Sequence, residues 1–129
     1  MKKLVISVCV MLVVLLFPVN SIALPLWEYT SRCNPSLSFT GTTANCTLYI
    51  KAYDDSAKIT ATLTLIRENT DGTEKVVKTW PDLSDTGSLT FSGTKSVSSG
   101  QTYRLEVSST VKTSKGVEYP YEYVRATCP

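Results

Sequence analysis

The sequence predicts an all-β fold, an antiparallel β-sandwich of seven to eight short strands. Three observations predict it. Beyond residue 23, helical spacing of apolar residues is almost absent while strict alternation recurs. The second face of the alternating runs is rich in Thr and Ser. Turn residues punctuate the chain at short intervals. No segment reads as a helix long enough to carry the chain between parallel strands, so neighbouring strands run antiparallel.

Each element follows from local pattern. Ser36–Thr40 reads as a strand, with a turn at Gly41-Thr42-Thr43 that places Ser38 opposite Cys46. In the next strand Ala44, Cys46, Leu48 and Ile50 share one face, while Asn45, Thr47, Tyr49 and Lys51 share the other. Ile59, Ala61, Leu63 and Leu65 alternate with Thr60, Thr62, Thr64 and Ile66. Asn69-Thr70-Asp71-Gly72 is hairpin chemistry leading into Glu74–Trp80, and Pro81 to Gly87 reads as a loop. Leu89 and Phe91 begin another strand, in which Gly93 suggests a bulge or break. Ser98-Ser99-Gly100 turns into a strand carrying Tyr103, Leu105, Val107, Ser109 and Val111 on its core face. Lys115-Gly116 turns into a last strand, Val117–Ala126, where Pro120 marks a sheet edge. Trp27 and Tyr29 belong to a first strand, and Trp80 to the core or its rim.

The N-terminus has a different pattern. Lys2 and Lys3 precede an apolar run from Leu4 to Phe17, shorter than the roughly 20 residues of a membrane-spanning helix, and Ser21-Ile22-Ala23 offers small residues before a cut. Residues 1–23 therefore read as a signal peptide, residues 24–129 as a single domain, and the location as secreted or extracellular, with no membrane span in the mature chain. Without Lys2 and Lys3 the basic residues fall from 13 to 11 and balance the 11 acidic ones. A neutral domain has no electrostatic reason to bind nucleic acid.

The chain has no histidine, which removes Ser–His–Asp and Cys–His catalysis and histidine metal sites. It also lacks a CxxC motif, a phosphate-cradling loop and a calcium-loop pattern. Asp54-Asp55 reads as a turn cap more readily than as a calcium site, and Glu74, Glu106, Glu118 and Glu122 read as strand-face carboxylates. We expect no enzyme, no cofactor and no metal.

Secretion favours a disulfide, and the mature cysteines are Cys33, Cys46 and Cys128. The register sets Cys46 away from Cys33 and into the core. The expectation is a Cys33–Cys128 disulfide, worth about 4–5 kcal/mol on the chain-entropy account, with Cys46 a buried free thiol. Cys46–Cys128 is the alternative.

Val97-Ser98-Ser99-Gly100-Gln101-Thr102-Tyr103-Arg104-Leu105-Glu106-Val107 resembles the corresponding stretch of immunoglobulin-like and fibronectin type III-like sandwiches. Tyr103 looks like their tyrosine corner, whose hydroxyl bonds to nearby backbone. Ala44-Asn45-Cys46, Leu63-Thr64-Leu65 through Asp71-Gly72 to Val77-Lys78-Thr79-Trp80, and Gly100 to Val107 also resemble an uncharacterised family of small secreted proteins of Gram-positive bacteria. That resemblance implies an immunoglobulin-like fold and a secreted location, without an activity. Cys33 and Cys128 depart from the family's pattern.

The function expected is a non-catalytic interaction or adhesion domain whose partner is an extracellular protein or glycan. One alternative is a carbohydrate-binding module using Tyr49, Tyr53 and Tyr121; another is a small effector or inhibitor held rigid by its disulfide. Tyr49 and Tyr53 lie on the face opposite the core. On the last strand Val117, Tyr119, Tyr121 and Tyr123 share a face, which we expect to point inward with hydroxyls at the rim. An exposed tyrosine platform is the competing arrangement.

Overall fold

The structure, a computed structural model, describes residues 27–129. The signal peptide expected over residues 1–23 lies outside them. Eight strands follow in order: β1 (Thr30–Thr40), β2 (Thr43–Ala52), β3 (Lys58–Glu68), β4 (Glu74–Thr86), β5 (Ser88–Ser96), β6 (Thr102–Thr113), β7 (Gly116–Glu118) and β8 (Tyr121–Thr127). They form two antiparallel sheets. The smaller has the order β1-β2-β5; the larger has the order β4-β3-β6, with β7 and β8 sharing the far edge of β6. Among the described residues no helix is long and apolar enough to cross a membrane.

The alternation read from sequence is the alternation of burial. Cys46, Leu48 and Ile50 of β2, Ile59, Leu63 and Leu65 of β3, and Leu105, Val107 and Val111 of β6 are all fully buried in one core between the sheets. At about 1.5–3 kcal/mol for each large side chain removed from water, this interdigitated layer is the main source of stability. Ile66 is an exception. Its position places it on the outward row, yet it is buried, beside a bulge of β4 between the pairs Leu65–Lys78 and Ile66–Val76.

Turn chemistry places the strands with one shift of register. Thr40 faces Thr43, so the first hairpin has a two-residue loop, Gly41-Thr42, and Leu37 rather than Ser38 stands opposite Cys46. Gly41 has φ 58°, the left-handed conformation that a type II′ turn needs at its first loop position. The Asn69–Gly72 hairpin forms as expected, closed by Asn69 N–H donating to the Thr73 carbonyl at 2.8 Å.

Two loop readings are corrected. Residues 81–86 continue β4 past a bulge instead of forming a loop. Gly93 does not break β5, whose pairing with β2 runs unbroken from Ser96 to Ser88. Its role is room: a Cβ there would lie 2.9 Å from the Trp80 ring, which packs against Phe91 with centroids 5.6 Å apart. Trp80 thus closes the side of the sandwich where β4 approaches β5. Trp27 and Tyr29 precede β1 and pack on the core rim. The last strand is split in two at Tyr119-Pro120, and Pro120 is buried with its carbonyl accepting from both Ser109 N–H and Ser109 Oγ–H.

The expected Cys33–Cys128 disulfide is absent: Cys33, Cys46 and Cys128 are separate buried thiols. Cys128 Sγ sits 3.4 Å from the carbonyl oxygen of Gly41, at the far end of β1 from Cys33. Eight residues of extended chain separate Cys33 from Gly41, about 26 Å at 3.3 Å per residue, against a Cα separation limit of about 7 Å for a disulfide. The alternative Cys46–Cys128 bond is not formed either, so the disulfide-held effector reading loses its staple. Burial pushes the Cys33 and Cys46 thiols up to about 11, in Cys33 with a smaller push from Glu122, which keeps both as unreactive thiols.

Candidate functional site

The larger sheet turns its inward rows to the core, so its outer face carries Thr60, Thr62 and Thr64 of β3 and Arg104, Glu106, Ser108 and Thr110 of β6. The edge strands complete it. β8 pairs with β6 so that Leu105 faces Val124 and Val107 faces Glu122. That phase sends Pro120, Glu122, Val124 and Ala126 toward the interior and Tyr119, Tyr121, Tyr123 and Arg125 outward. Tyr119 is 75% exposed, Tyr121 50% and Tyr123 46%, so the expectation that these rings point inward is overturned. The physical reason is the edge position. Glu122 lies at the rim of the sandwich, where a carboxylate is tolerated inward. The apolar phase marker of this strand is instead Val124, Ala126 and Cys128.

At one end of the face the charges are consumed by one another. Arg104 reaches Glu68 at 3.1 Å and Glu74 at 2.8 Å, and Arg125 reaches Glu68 at 2.6 Å. Arg104 Nε lies 3.4 Å from Glu106 Oε2, in ion-pair range but off the hydrogen-bond axis, so this buried N–H has no partner. Hydrogen bonds from Arg104 hold Glu74 below the usual carboxylate range, and the same bonds raise Arg104 further. Tyr121 Oη donates to Glu106 Oε2 at 2.7 Å, which raises the phenol above its ordinary value. The guanidinium of Arg125 stands 5.0 Å from the centroid of the Tyr123 ring. The network therefore positions two of the three rings.

At the other end lies an open groove of about 430 Å³. Its floor is a two-by-two array of hydroxyls, with Thr60 paired to Thr110 and Thr62 to Ser108 across neighbouring strands. Tyr119, Pro120 and Tyr121 form one wall and Asp82 another. Asp82 is there because of the second bulge of β4: Ala61 pairs with Leu83 and Leu63 with Trp80, so Pro81 and Asp82 both stand opposite Thr62. The extra residue takes a left-handed conformation, φ 57°, which Asp tolerates better than most side chains.

The three aromatic residues predicted from sequence are not brought together. Tyr121 is at the groove. Tyr49 is on the outer face of the smaller sheet, paired between Asn34 and Thr90. Tyr53 lies beyond the end of β2, in a second hollow of about 440 Å³ with Tyr29, Asp54 and Lys115. Asp54 caps its own turn, accepting from Ser56 N–H at 2.9 Å and Ser56 Oγ–H at 2.7 Å, which lowers its carboxyl. Among the strand glutamates, Glu74 and Glu106 belong to the arginine network. Glu118 accepts hydrogen bonds from the backbone N–H of Glu28 and Tyr29 and from Thr30 Oγ1. Among the described residues no group of three or more His, Cys, Asp and Glu converges as a metal set would.

Sequence reading grouped Tyr119 and Tyr123 with Tyr121 but favoured the inward direction for all three, and it missed Asp82 and the hydroxyl floor. The signal for the tyrosines was the phase of Val124, Ala126 and Cys128, which points them outward but is opposed by Glu122 in the same phase. For Asp82 the signal was Pro81 inside an otherwise strand-like stretch, the mark of a bulge.

No protein-family model matches the chain, and no curated protein is similar to it. Among solved structures it is similar to a protein from Archaeoglobus fulgidus, at 13% identity over 78% of this chain and 98% of that one, with a TM-score of 0.35. A likeness of that size carries no argument about what the protein does.

Proposed function

We propose that the protein is a secreted, non-catalytic interaction domain that meets its partner through the outer face of the larger sheet. The observation that carries this reading is the row of Tyr119, Tyr121 and Tyr123, exposed side by side on that face. Exposed aromatics in a row are costly to leave in water and are the side chains that contribute most at interfaces. Two features support the absence of catalysis: the chain has no histidine, and the carboxylates of the face other than Asp82 are engaged by arginine. Two observations support an immunoglobulin-like sandwich of the fibronectin III-like kind. Tyr103 Oη accepts the Ser98 N–H at 2.9 Å, the geometry of a tyrosine corner. In addition, β4 sits beside β3, away from the β1-β2-β5 sheet that would hold it in a constant-type immunoglobulin domain.

The test is co-sedimentation of the purified protein with bacterial cell walls and with mucin. We expect it in the pellet with at least one of them, released by the Tyr119→Ala/Tyr121→Ala pair and retained by Tyr49→Ala. A protein that stays in the supernatant with both materials contradicts a surface-binding role. Turnover of ester, peptide or glycoside substrates contradicts a non-catalytic one.

A further inference from the structure

We infer that the groove beside Tyr119 and Tyr121 is a binding site for a neutral saccharide, an inference that rests on the interaction face proposed above and names its ligand class. The floor argues first. Several hydroxyls of the larger sheet are spent internally: Thr102 bonds Thr127, Ser109 bonds the Pro120 carbonyl and Thr113 bonds the Gly116 carbonyl. Those of Thr60, Thr62, Ser108 and Thr110 make no such bond among the described residues. They stand as a regular array, about 4.8 Å apart across strands and about 7 Å apart along them. An apolar partner laid over this floor would desolvate four hydroxyls without replacing their hydrogen bonds, at about 1–3 kcal/mol each. The ligand must therefore bring many hydrogen-bonding groups of its own.

Charge argues second. The groove holds one ionised side chain, Asp82, and no cation. The arginines of this face, Arg104 and Arg125, are paired with Glu68 and Glu74, and its lysines, Lys58 and Lys112, stand one outward position beyond Thr60 and Thr110, outside the groove lining. Within the groove lining an anionic ligand, whether phosphate, sulfate or an acidic sugar, meets no counter-charge and one carboxylate of its own sign. A neutral polyol suits the carboxylate well, because neighbouring hydroxyls donate to its two oxygens as charge-assisted bonds.

The wall argues third. The ring of Tyr121 is held by its bond to Glu106 and by Tyr123, whose centroid is 6.3 Å away at 50°. It is exposed before any ligand arrives, so little ordering remains to be done on binding. Tyr119, the most exposed of the row, flanks it. A sugar ring presents hydroxyls at its edge and C–H bonds on its faces, and that pairing matches a hydroxyl floor beside aromatic walls. The bulge that aims Asp82 into the groove holds a left-handed residue inside a strand, which pairing geometry alone does not require.

The experiment titrates the purified protein with neutral tetrasaccharides, β-linked glucose, β-linked N-acetylglucosamine and α-linked mannose, and with a sulfated tetrasaccharide as control, following backbone amide shifts by NMR. We expect saturable binding of at least one neutral sugar, with shifts confined to residues around Thr60, Thr62, Asp82, Ser108 and Tyr121. Asp82→Asn and Tyr121→Ala should each weaken it about tenfold or more, the loss of one charge-assisted bond or one ring contact. Tyr49→Ala, on the other sheet, should bind within about twofold. Amide spectra show directly whether each variant is folded. Failure of every neutral sugar to bind overturns the inference, as does binding that survives both Asp82→Asn and Tyr121→Ala or prefers the sulfated control. If cell-wall or mucin binding depends on Tyr119 and Tyr121 but no neutral sugar competes for it, the face stands and the saccharide falls, with a protein partner in its place. If neither material nor sugar binds, both readings fall.

Discussion

On the smaller sheet the outward row of β2 runs Asn45, Thr47, Tyr49, Lys51; on the larger sheet the outward row of β6 runs Arg104, Glu106, Ser108, Thr110. Both rows mix charge and small hydroxyls over the same core. They differ in what flanks them. β2 lies between β1 and a β5 strand whose outward row is Ser and Thr, both in register along their length there, so Tyr49 is a single half-exposed ring on a flat surface. β6 lies between β3 and an edge strand broken at Pro120 that carries three exposed tyrosines, with a bulged β4 beyond β3. Composition is therefore a poor guide to which face of a sandwich binds. Irregularity at the edges, a bulge on one side and a proline break on the other, supplies the relief and the convergent groups that a flat sheet lacks.

Four measurements would break or sharpen that comparison. The largest effect belongs to the layer both faces share. Leu63→Ala removes a fully buried side chain and should cost about 2–5 kcal/mol in urea unfolding, with both faces lost in a single transition. Two separate transitions would show that the sheets do not share one core.

Next is the charged end of the larger face. Arg104→Met keeps the packing of the stem but strands Glu74, leaving Glu68 with Arg125 and Glu106 with Tyr121, and should cost about 1–2 kcal/mol at pH 7. Because Arg104 holds Glu74 below its ordinary 4.5, the contribution of that pair is present above the unfolded value and is lost as pH falls through the folded one. The gap between wild type and variant should therefore narrow as pH falls below the ordinary 4.5. A gap that persists in acid would assign the loss to packing.

The corresponding pair beside the smaller face, Lys51–Asp55 at 3.1 Å, is exposed, its side chains 36% and 93% accessible. Lys51→Ala should cost about 0.5 kcal/mol or less. A cost equal to that of Arg104→Met would remove the electrostatic distinction between the faces.

The smallest expected effect is none. With Cys33, Cys46 and Cys128 all free, a reducing agent should leave the unfolding midpoint unchanged, and these three thiols should react with a thiol reagent only on unfolding. A loss on the scale of 4 kcal/mol under reduction would restore the Cys33–Cys128 bond.

Much of the architecture was legible in the sequence. Alternation in β2, β3 and β6 identified every inward residue of those strands apart from Ile66, because a half-buried strand writes its burial directly into a period of two. Hairpin chemistry placed the β3–β4 turn correctly and the β1–β2 turn within one residue. Less of the site was legible. Alternation gave the tyrosines a common face but not its direction, since Glu122 and Val124 share the opposite phase and a single strand cannot say which of them governs. Asp82 read as a loop residue because the β4 bulge exists only in pairing with β3.

The sequence by itself determined that the chain pairs antiparallel strands, which residues of the central strands are buried, and which ring-bearing residues share a strand face. Those properties are local, set by side-chain alternation and by turn residues a few positions apart. Tertiary structure alone decided that Tyr119, Tyr121 and Tyr123 face water, that Asp82 stands across from them over four free hydroxyls, and that Cys33 and Cys128 lie too far apart to bond. Each of these depends on the register between strands far apart in the chain, and register is chosen by the packing of the whole core.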